Sequence, residues 1–247
     1  MKKATREHLF QTVSHRPWAL PSKPWRYYQE WNNVLFLHWK VPADLLHPFI
    51  PGNLELDTFN GEAWISLVAF TMEKIRPKNL PAFTHVSTFH EINVRTYVTR
   101  DNKPGVYFLS IEAQKLVSAK LSKLLSGLPY EKASMKRVFS EETHCYHSCL
   151  AKKEFHFRAA YSISNREPQK TPEDLWLTER YALYLDKGEQ LYRYDIHHLP
   201  WELKSVHLSD LQTRYQLGEL SIQRPPDSIH YSPGVQVIAW SKENITR

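Results

Sequence analysis

Glu91, Asn93, Arg95 and Tyr97 alternate with Ile92, Val94, Thr96 and Val98. In an extended segment successive side chains point to opposite faces, so an acid, an amide, a guanidinium and a phenol share one side. If that side lines a pocket, Arg95 can hold a carboxylate through paired hydrogen bonds. Glu91 can then give or take a proton, provided burial raises its pKa. Asn93 and Tyr97 would add ligand hydrogen bonds. Positions 91 and 95 lie about 13 Å apart along a strand, so they act as separate stations rather than an ion pair. The competing expectation is a wet face, or one tied into cross-strand salt bridges, because most polar strand faces meet water.

A second chemistry-bearing run is His144-Cys-Tyr-His-Ser-Cys149. Imidazole and thiolate suit zinc, but on a strand Cys145, His147 and Cys149 are spaced at intervals of about 6.7 Å, too spread for one tetrahedral ion. The expectation is no metal and two reduced thiols. With 7 Gly and neither a P-loop, a dinucleotide fingerprint nor a Ser-His-Asp order, no cofactor is expected.

These residues need a frame. The 247 residues, 42% hydrophobic and 13% aromatic with 8 Trp, 13 Tyr and 11 Phe, can bury a large ring-rich core. The net charge of +6 comes from basic residues spread among 26 acids, which argues against nucleic-acid binding. No apolar run is long enough for a membrane span, and Met1 to Arg16 is polar and basic without a signal-peptide pattern, so a cytoplasmic location is expected.

Asn33 to Trp39 reads as a strand, Leu45 to Ile50 as a capped helical turn, and Leu54 to Asp57 and Ala63 to Met72 as strands on either side of the turn dipeptide Asn60-Gly61. Phe89 to Val98 and Val106 to Ala113 form a natural hairpin across the polar stretch from Thr99 to Gly105. Leu116, Val117, Leu121, Leu124 and Leu125 then fall on one helical stripe that stops at Gly127 and Pro129, returning Tyr130 toward the strands. Glu142 to Leu150, Glu154 to Ser162, Gln190 to His197 and Val235 to Trp240 read as strands; Asn165 to Asp174 reads as a loop, and Ser205 to Arg224 as a polar stretch. Many short strands with a few helices suggest an antiparallel barrel or folded double sheet.

Several segments in order, Leu37-His-Trp-Lys-Val-Pro42, Pro51-Gly-Asn-Leu-Glu-Leu-Asp57, Glu91-Ile-Asn-Val-Arg-Thr-Tyr97, Gly105-Val-Tyr-Phe-Leu-Ser110, Leu128-Pro-Tyr130, Leu177-Thr-Glu-Arg-Tyr181 and His198-Leu-Pro-Trp201, resemble the YqjF-like family, a bacterial domain of unknown function. The resemblance spans most of the chain. That family is similar in turn to acetoacetate decarboxylase. This implies a mainly β fold with some α, an antiparallel cone-like β-barrel with peripheral helices, as a single domain over 1–247 with an N-terminal extension of about 1–24. In that comparison Glu91 takes the place of a pocket glutamate, and Gly127-Leu-Pro-Tyr-Glu-Lys132 the place of a Gly-aromatic-Pro-Lys-Lys motif. The decarboxylase's Schiff-base lysine position is Tyr130, and its cationic neighbour is Glu131. A phenol cannot form an imine, and a carboxylate raises an amine's pKa, so Schiff-base chemistry is not expected. Lys132 is the remaining candidate amine.

The resemblance and the residues together imply a small-molecule-binding barrel for an organic acid or carbonyl compound. Catalysis would be a Schiff-base-independent lyase or isomerase reaction, with Glu91 moving a proton, Arg95 binding a carboxylate, and Asn93, Tyr97 and Tyr130 binding ligand. A non-catalytic sensor or carrier and a structural interaction protein are the alternatives. No membrane or nucleic-acid partner is expected, and self-association into a homo-oligomer is compatible with the sequence. Glu179, Arg180 and Tyr181 read as a structural network, and His198 and Trp201 as either a pocket rim or a turn.

Overall fold

The computed structural model describes residues 5–83, 87–115, 127–140, 143–164 and 166–246. The helical stripe expected over Leu116 to Leu125 lies outside the described residues.

The fold is mainly β. Long strands β1 (Tyr27–Val41), β3 (Ala63–Pro77), β4 (Phe89–Arg100) and β5 (Lys103–Ala113) join the short strands β2 (Glu55–Leu56) and β6 (Tyr130–Lys132) in one sheet. β10 (Ala182–Lys187), β11 (Gln190–His197), β14 (Ser228–Ala239) and β15 (Glu243–Asn244) complete it. Hydrogen-bonded neighbours run β2-β4-β3-β1-β14-β11-β10-β5-β6, β15 pairs with β11, and β4 also pairs with β5. The sheet is mixed rather than wholly antiparallel, because β5 runs parallel to both β10 and β6. A second sheet has the order β13-β12-β9-β8-β7, from β13 (Leu220–Ile222), β12 (Val206–Leu217), β9 (Phe155–Ile163), β8 (His144–Leu150) and β7 (Ser134–Phe139). Among the described residues the α-helices are α1 (Arg6–Gln11) and α2 (Pro172–Thr178), the latter started by a capping box between Thr171 and Asp174.

The two sheets share a core. Leu35, Leu37 and Trp39 of β1, Ile65, Leu67 and Ala69 of β3, and Ile92 and Val94 of β4 pack against Tyr146, Phe155, Phe157, Ala159, Tyr161 and Tyr215 of the second sheet. Burying each large side chain of this kind contributes roughly 1.5–3 kcal/mol. That contact covers one face of β1, β3 and β4. The other face packs a separate cluster that includes Val34, Phe36, Val68, Phe70, Met72, Ile196 and Trp201. Strands buried on both faces read as near-continuous apolar runs, which is the pattern of Val34 to Leu37 and Ile65 to Phe70.

Simple alternation does not persist along these strands. The β1–β3 register shifts between Asn32 and Leu35 and again between Tyr28 and Glu30, with Asn33 and Lys74 at positive φ. The β4–β5 register shifts at Val94/Arg95. Each bulge inserts a residue and moves the following side chains to the other face.

Other expectations are corrected in detail. The Phe89 to Ala113 hairpin forms, but its turn is Asp101-Asn102, both at positive φ, and Pro104-Gly105 lies inside β5. Asp and Asn tolerate that conformation through their short polar side chains. At Gly105 the neighbouring β10 approaches so closely that a Cβ would meet the Ala182 carbonyl at 2.5 Å. Asn60-Gly61 turns only the Phe59–Glu62 bridge, and β2 pairs with β4 instead of β3. The stretch from Ser205 to Arg224 is β12 and β13, which pack one face on the sheet and leave most of the other wet. On β8 Cys145 is exposed and Cys149 half-buried, both as free thiols, and no metal-ligand cluster of three or more occurs among the described residues.

Gly234 sits at φ +136 beside the β1 bulge, and a Cβ there would lie 2.3 Å from the Trp31 carbonyl oxygen. Gly234→Ala should therefore lower the unfolding free energy by about 1–3 kcal/mol or more, read from urea denaturation.

Candidate functional site

Because the even-numbered residues of β4 face the second sheet, Glu91, Asn93 and Arg95 point the other way, into a cavity of about 110 Å³. All three are buried, at 3%, 5% and 7% exposure, so this polar face is not a wet one. Cross-strand neighbours fix their surroundings: Phe70 lies opposite Glu91, Val68 opposite Asn93 and Ser66 opposite Arg95. The remaining wall is largely apolar and aromatic, including Trp31, Phe36, Met72, Phe108, Leu183 and Trp201.

β6 pairs in parallel with β5, Tyr130 beside Ile111, which brings the Tyr130 hydroxyl to the Glu91 carboxyl as a donor to Oε2 at 3.0 Å. Burial pushes the Glu91 pKa up to about 8, only partly opposed by hydrogen bonds from Tyr130 and Asn93. At neutral pH Glu91 is therefore mostly a neutral acid. Burial, followed by the Glu91 charge, raises the Tyr130 phenol well above its usual range. The Asn93 Oδ1 atom is buried without a partner.

Arg95 is the charged element of this wall. Its Nη2 donates to the Leu177 carbonyl at 3.5 Å, a long bond, and its Nε is buried without a partner. Among the described residues no carboxylate pairs with it, and its guanidinium lies 5.9 Å from the Phe36 ring. Burial lowers its pKa, yet a guanidinium remains protonated. A second guanidinium, Arg180, reaches the same cavity from the end of α2. Its Nε donates to the Trp176 carbonyl at 2.7 Å and its Nη1 pairs with Asp57, while Nη2 is buried without a partner. Arg180 is thus largely neutralised and Arg95 is not.

Two sequence candidates lie elsewhere. Tyr97 is fully buried but not part of the cavity lining: its hydroxyl donates to the Leu177 carbonyl at 2.9 Å and contacts Ser66 Oγ at 2.5 Å, under Trp176. It packs the wall behind Arg95. Lys132 is exposed and borders a separate groove with Gln114, Ser134 and Lys152, while Glu131 pairs with Lys153. The described lining contains no lysine.

Residues that sequence reasoning did not assign to the site include Trp31, Phe36, Phe70 and Arg180. His198 and Trp201 take the rim reading, since both line the cavity, with Trp201 Nε1 donating to the Thr178 carbonyl at 3.0 Å. Burial lowers the His198 pKa, against the raising influence of Glu179. The structural network also forms: Glu179 accepts from the Tyr181 hydroxyl at 2.6 Å and from the Trp201 backbone at 2.9 Å. A signal for Arg180 existed in its place within the Leu177-Thr-Glu-Arg-Tyr181 segment, but nothing local separates an arginine held in a structural network from a ligand-facing one.

The model of DUF2071, described as an uncharacterized conserved protein, matches residues 28–236. The chain belongs to the DUF2071 family. It is also 36% identical over 226 residues to the uncharacterized protein YqjF of Bacillus subtilis (strain 168), covering 90% of this chain and 93% of that protein. Among solved structures it is similar to the enduracididine biosynthesis enzyme MppR complexed with pyruvate, at TM-score 0.61 and 13% identity over 93% of each chain. It is likewise similar to acetoacetate decarboxylase from Legionella pneumophila, at TM-score 0.59 and 13% identity over 94% of this chain and 95% of that one. At such identities the likeness shows the fold alone. No helix among the described residues of this DUF2071 chain is long and apolar enough to cross a membrane.

The raised Glu91 pKa has a consequence for stability. Its folded value of about 8 exceeds the ordinary 4.5, so its favourable contribution is complete below about pH 4.5 and is lost as pH rises toward 8. The unfolding free energy of Glu91→Gln should therefore gain on wild type across that window, with the difference flat above it. Chemical denaturation at stepped pH measures this.

Proposed function

We propose that this DUF2071 protein binds a small organic acid or carbonyl compound inside the cone-like barrel of the acetoacetate decarboxylase type. The barrel reading is supported by the circuit of pairings from β4 through β3, β1, β14, β11, β10 and β5 back to β4. In this reading the chain is one domain, with the first 24 or so residues as an extension packed through Leu9 and Trp18.

The observation that carries the ligand class is Arg95: a buried cation with no carboxylate partner among the described residues, in a mostly apolar cavity. An unpaired buried charge costs several kcal/mol, and an anionic ligand would offset that cost. The bound carboxylate takes Arg95, with the unpartnered Nη2 of Arg180 as a second donor. A carbonyl or hydroxyl oxygen further along meets the neutral Glu91 and the Asn93 amide. Tyr97 acts by holding the wall rather than by touching ligand.

Catalysis is favoured over simple carriage by one feature, the Glu91 pKa of about 8, which suits proton transfer near neutral pH. The reaction is a Schiff-base-independent isomerisation or lyase step whose proton transfer falls to Glu91: its ionised form takes a proton from the carbon beside a carbonyl, and as the acid it returns that proton to the carbon or oxygen of the resulting enolate. Lys132 contributes no amine.

Thermal-shift titration with pyruvate, acetoacetate and unsubstituted acids should show stabilisation that Arg95→Met weakens at least about tenfold in affinity. No stabilisation by any acid, or equal stabilisation of the variant, would sink the binding reading. Borohydride treatment with acetoacetate should leave Lys132 unmodified on peptide mapping. For the catalytic reading, wild type should speed deuterium uptake from solvent next to the carbonyl of a bound keto acid, and Glu91→Gln should lose that acceleration; equal rates leave only a carrier.

A further inference from the structure

The lining is asymmetric along its length. At the end marked by Arg95, the opposing Ser66 is fully buried, and the wall is closed by Arg180 and Thr178 at the end of α2. Moving along β3 from there, the cavity-facing residues are Val68, Phe70, Met72 and, past the Lys74 bulge, Ile75. Ile75 is half-buried, unlike the others. On β1 the same direction runs from Phe36 through Val34 and, past the Asn33 bulge, to Trp31. Beyond Glu91 the lining contributed by these two strands is apolar apart from Gln29 and the Tyr27 hydroxyl.

Arg95 thus marks one end of the lining and Gln29 and Tyr27 the other, with the apolar side chains of β1 and β3 between them. Arg95 and Glu91 are separated by about 13 Å of strand, and the apolar wall continues past Glu91. Trp31 stands 5.8 Å from Phe70 and 6.1 Å from Trp201 between ring centroids, so the continuation is walled by rigid rings. A three-carbon acid held at Arg95 would leave this wall uncovered, and covering it is worth about 25 cal/mol per Å² elsewhere in proteins.

Resting on the carboxylate reading above, we infer that the ligand is a medium-chain monocarboxylic acid: its head sits on Arg95, and its apolar tail runs along Phe36, Val34 and Val68 toward Phe70, opposite Glu91. The tail supplies affinity and selects length. Asn93 Oδ1, buried and unpartnered midway, accepts a hydrogen bond from a hydroxyl carried on that chain.

Isothermal titration of the full chain with butyrate, hexanoate, octanoate and decanoate, with pyruvate as the short reference, reads the tail directly. The expected result is affinity that rises by up to about fourfold per added methylene, the factor for full burial of one CH₂, until the wall is covered. Arg95→Met should remove binding along the whole series. Phe70→Asp should lower the ratio of decanoate to butyrate affinity about tenfold, because a carboxylate would meet the tail end opposite Glu91. Affinity that is flat or falls with chain length, while remaining Arg95-dependent, overturns the tail and leaves the carboxylate reading standing. Absence of binding by every acid overturns both. The series on unsubstituted wild type decides the matter even if Phe70→Asp folds poorly.

Discussion

Covering β1, β3 and β4 on both faces is the constraint on which the site depends. One face of these strands is committed to the second sheet through Leu37, Leu67, Ile92, Val94 and the rings of Phe157 and Tyr161. The other face then has no water to turn to. Anything polar on it must be satisfied by the protein, by a change of protonation, or by a ligand. Glu91 takes the second route and holds its proton; Arg180 takes the first, through Asp57 and the Trp176 carbonyl. Arg95 can do neither fully, and that residual charge is what makes the cavity read as a binding site.

Bulges set the composition of the wall. Without Asn33 in left-handed conformation, Trp31 and Phe36 would lie on opposite faces of β1, since their positions differ by an odd number. The same argument joins Met72 to Ile75 across Lys74. The fit at Gly234, where the backbone of β14 passes against Trp31 and Asn32, is the packing counterpart of the β1 bulge. Local backbone irregularity is therefore what turns alternating strands into one continuous apolar lining.

The α2 segment ties the site to the fold. Its last carbonyls receive Tyr97, Arg95, Arg180 and Trp201. Tyr97 and Trp201 thus anchor the element that closes the Arg95 end, although only Trp201 lines the cavity. Alternation puts Tyr97 on the face of Glu91, Asn93 and Arg95, but a shared strand face extends beyond the cavity, and the last residue of the set fell under Trp176 instead.

The sequence by itself determined the family, the mainly β class, the β4–β5 hairpin, the return of Tyr130 to the strands and the common face of Glu91, Asn93 and Arg95. The family follows from the ordered segments it shares with its relatives; the rest follows from period-two alternation, the helical stripe and turn residues, which act over a few positions. It also determined the replacement of the lysine motif by Tyr130 and Glu131. Tertiary structure alone decided that this face is buried, that Arg95 has no acid partner among the described residues while Arg180 has Asp57, and that Lys132 faces outward. It decided too that β12 is a strand, because its polar alternation gains meaning only from the sheet beneath it. The physical reason is that burial and charge pairing depend on neighbours distant in sequence: Asp57 and Arg180 are 123 residues apart, and Tyr130 and Glu91 are 39 apart. No local pattern encodes whether such neighbours arrive.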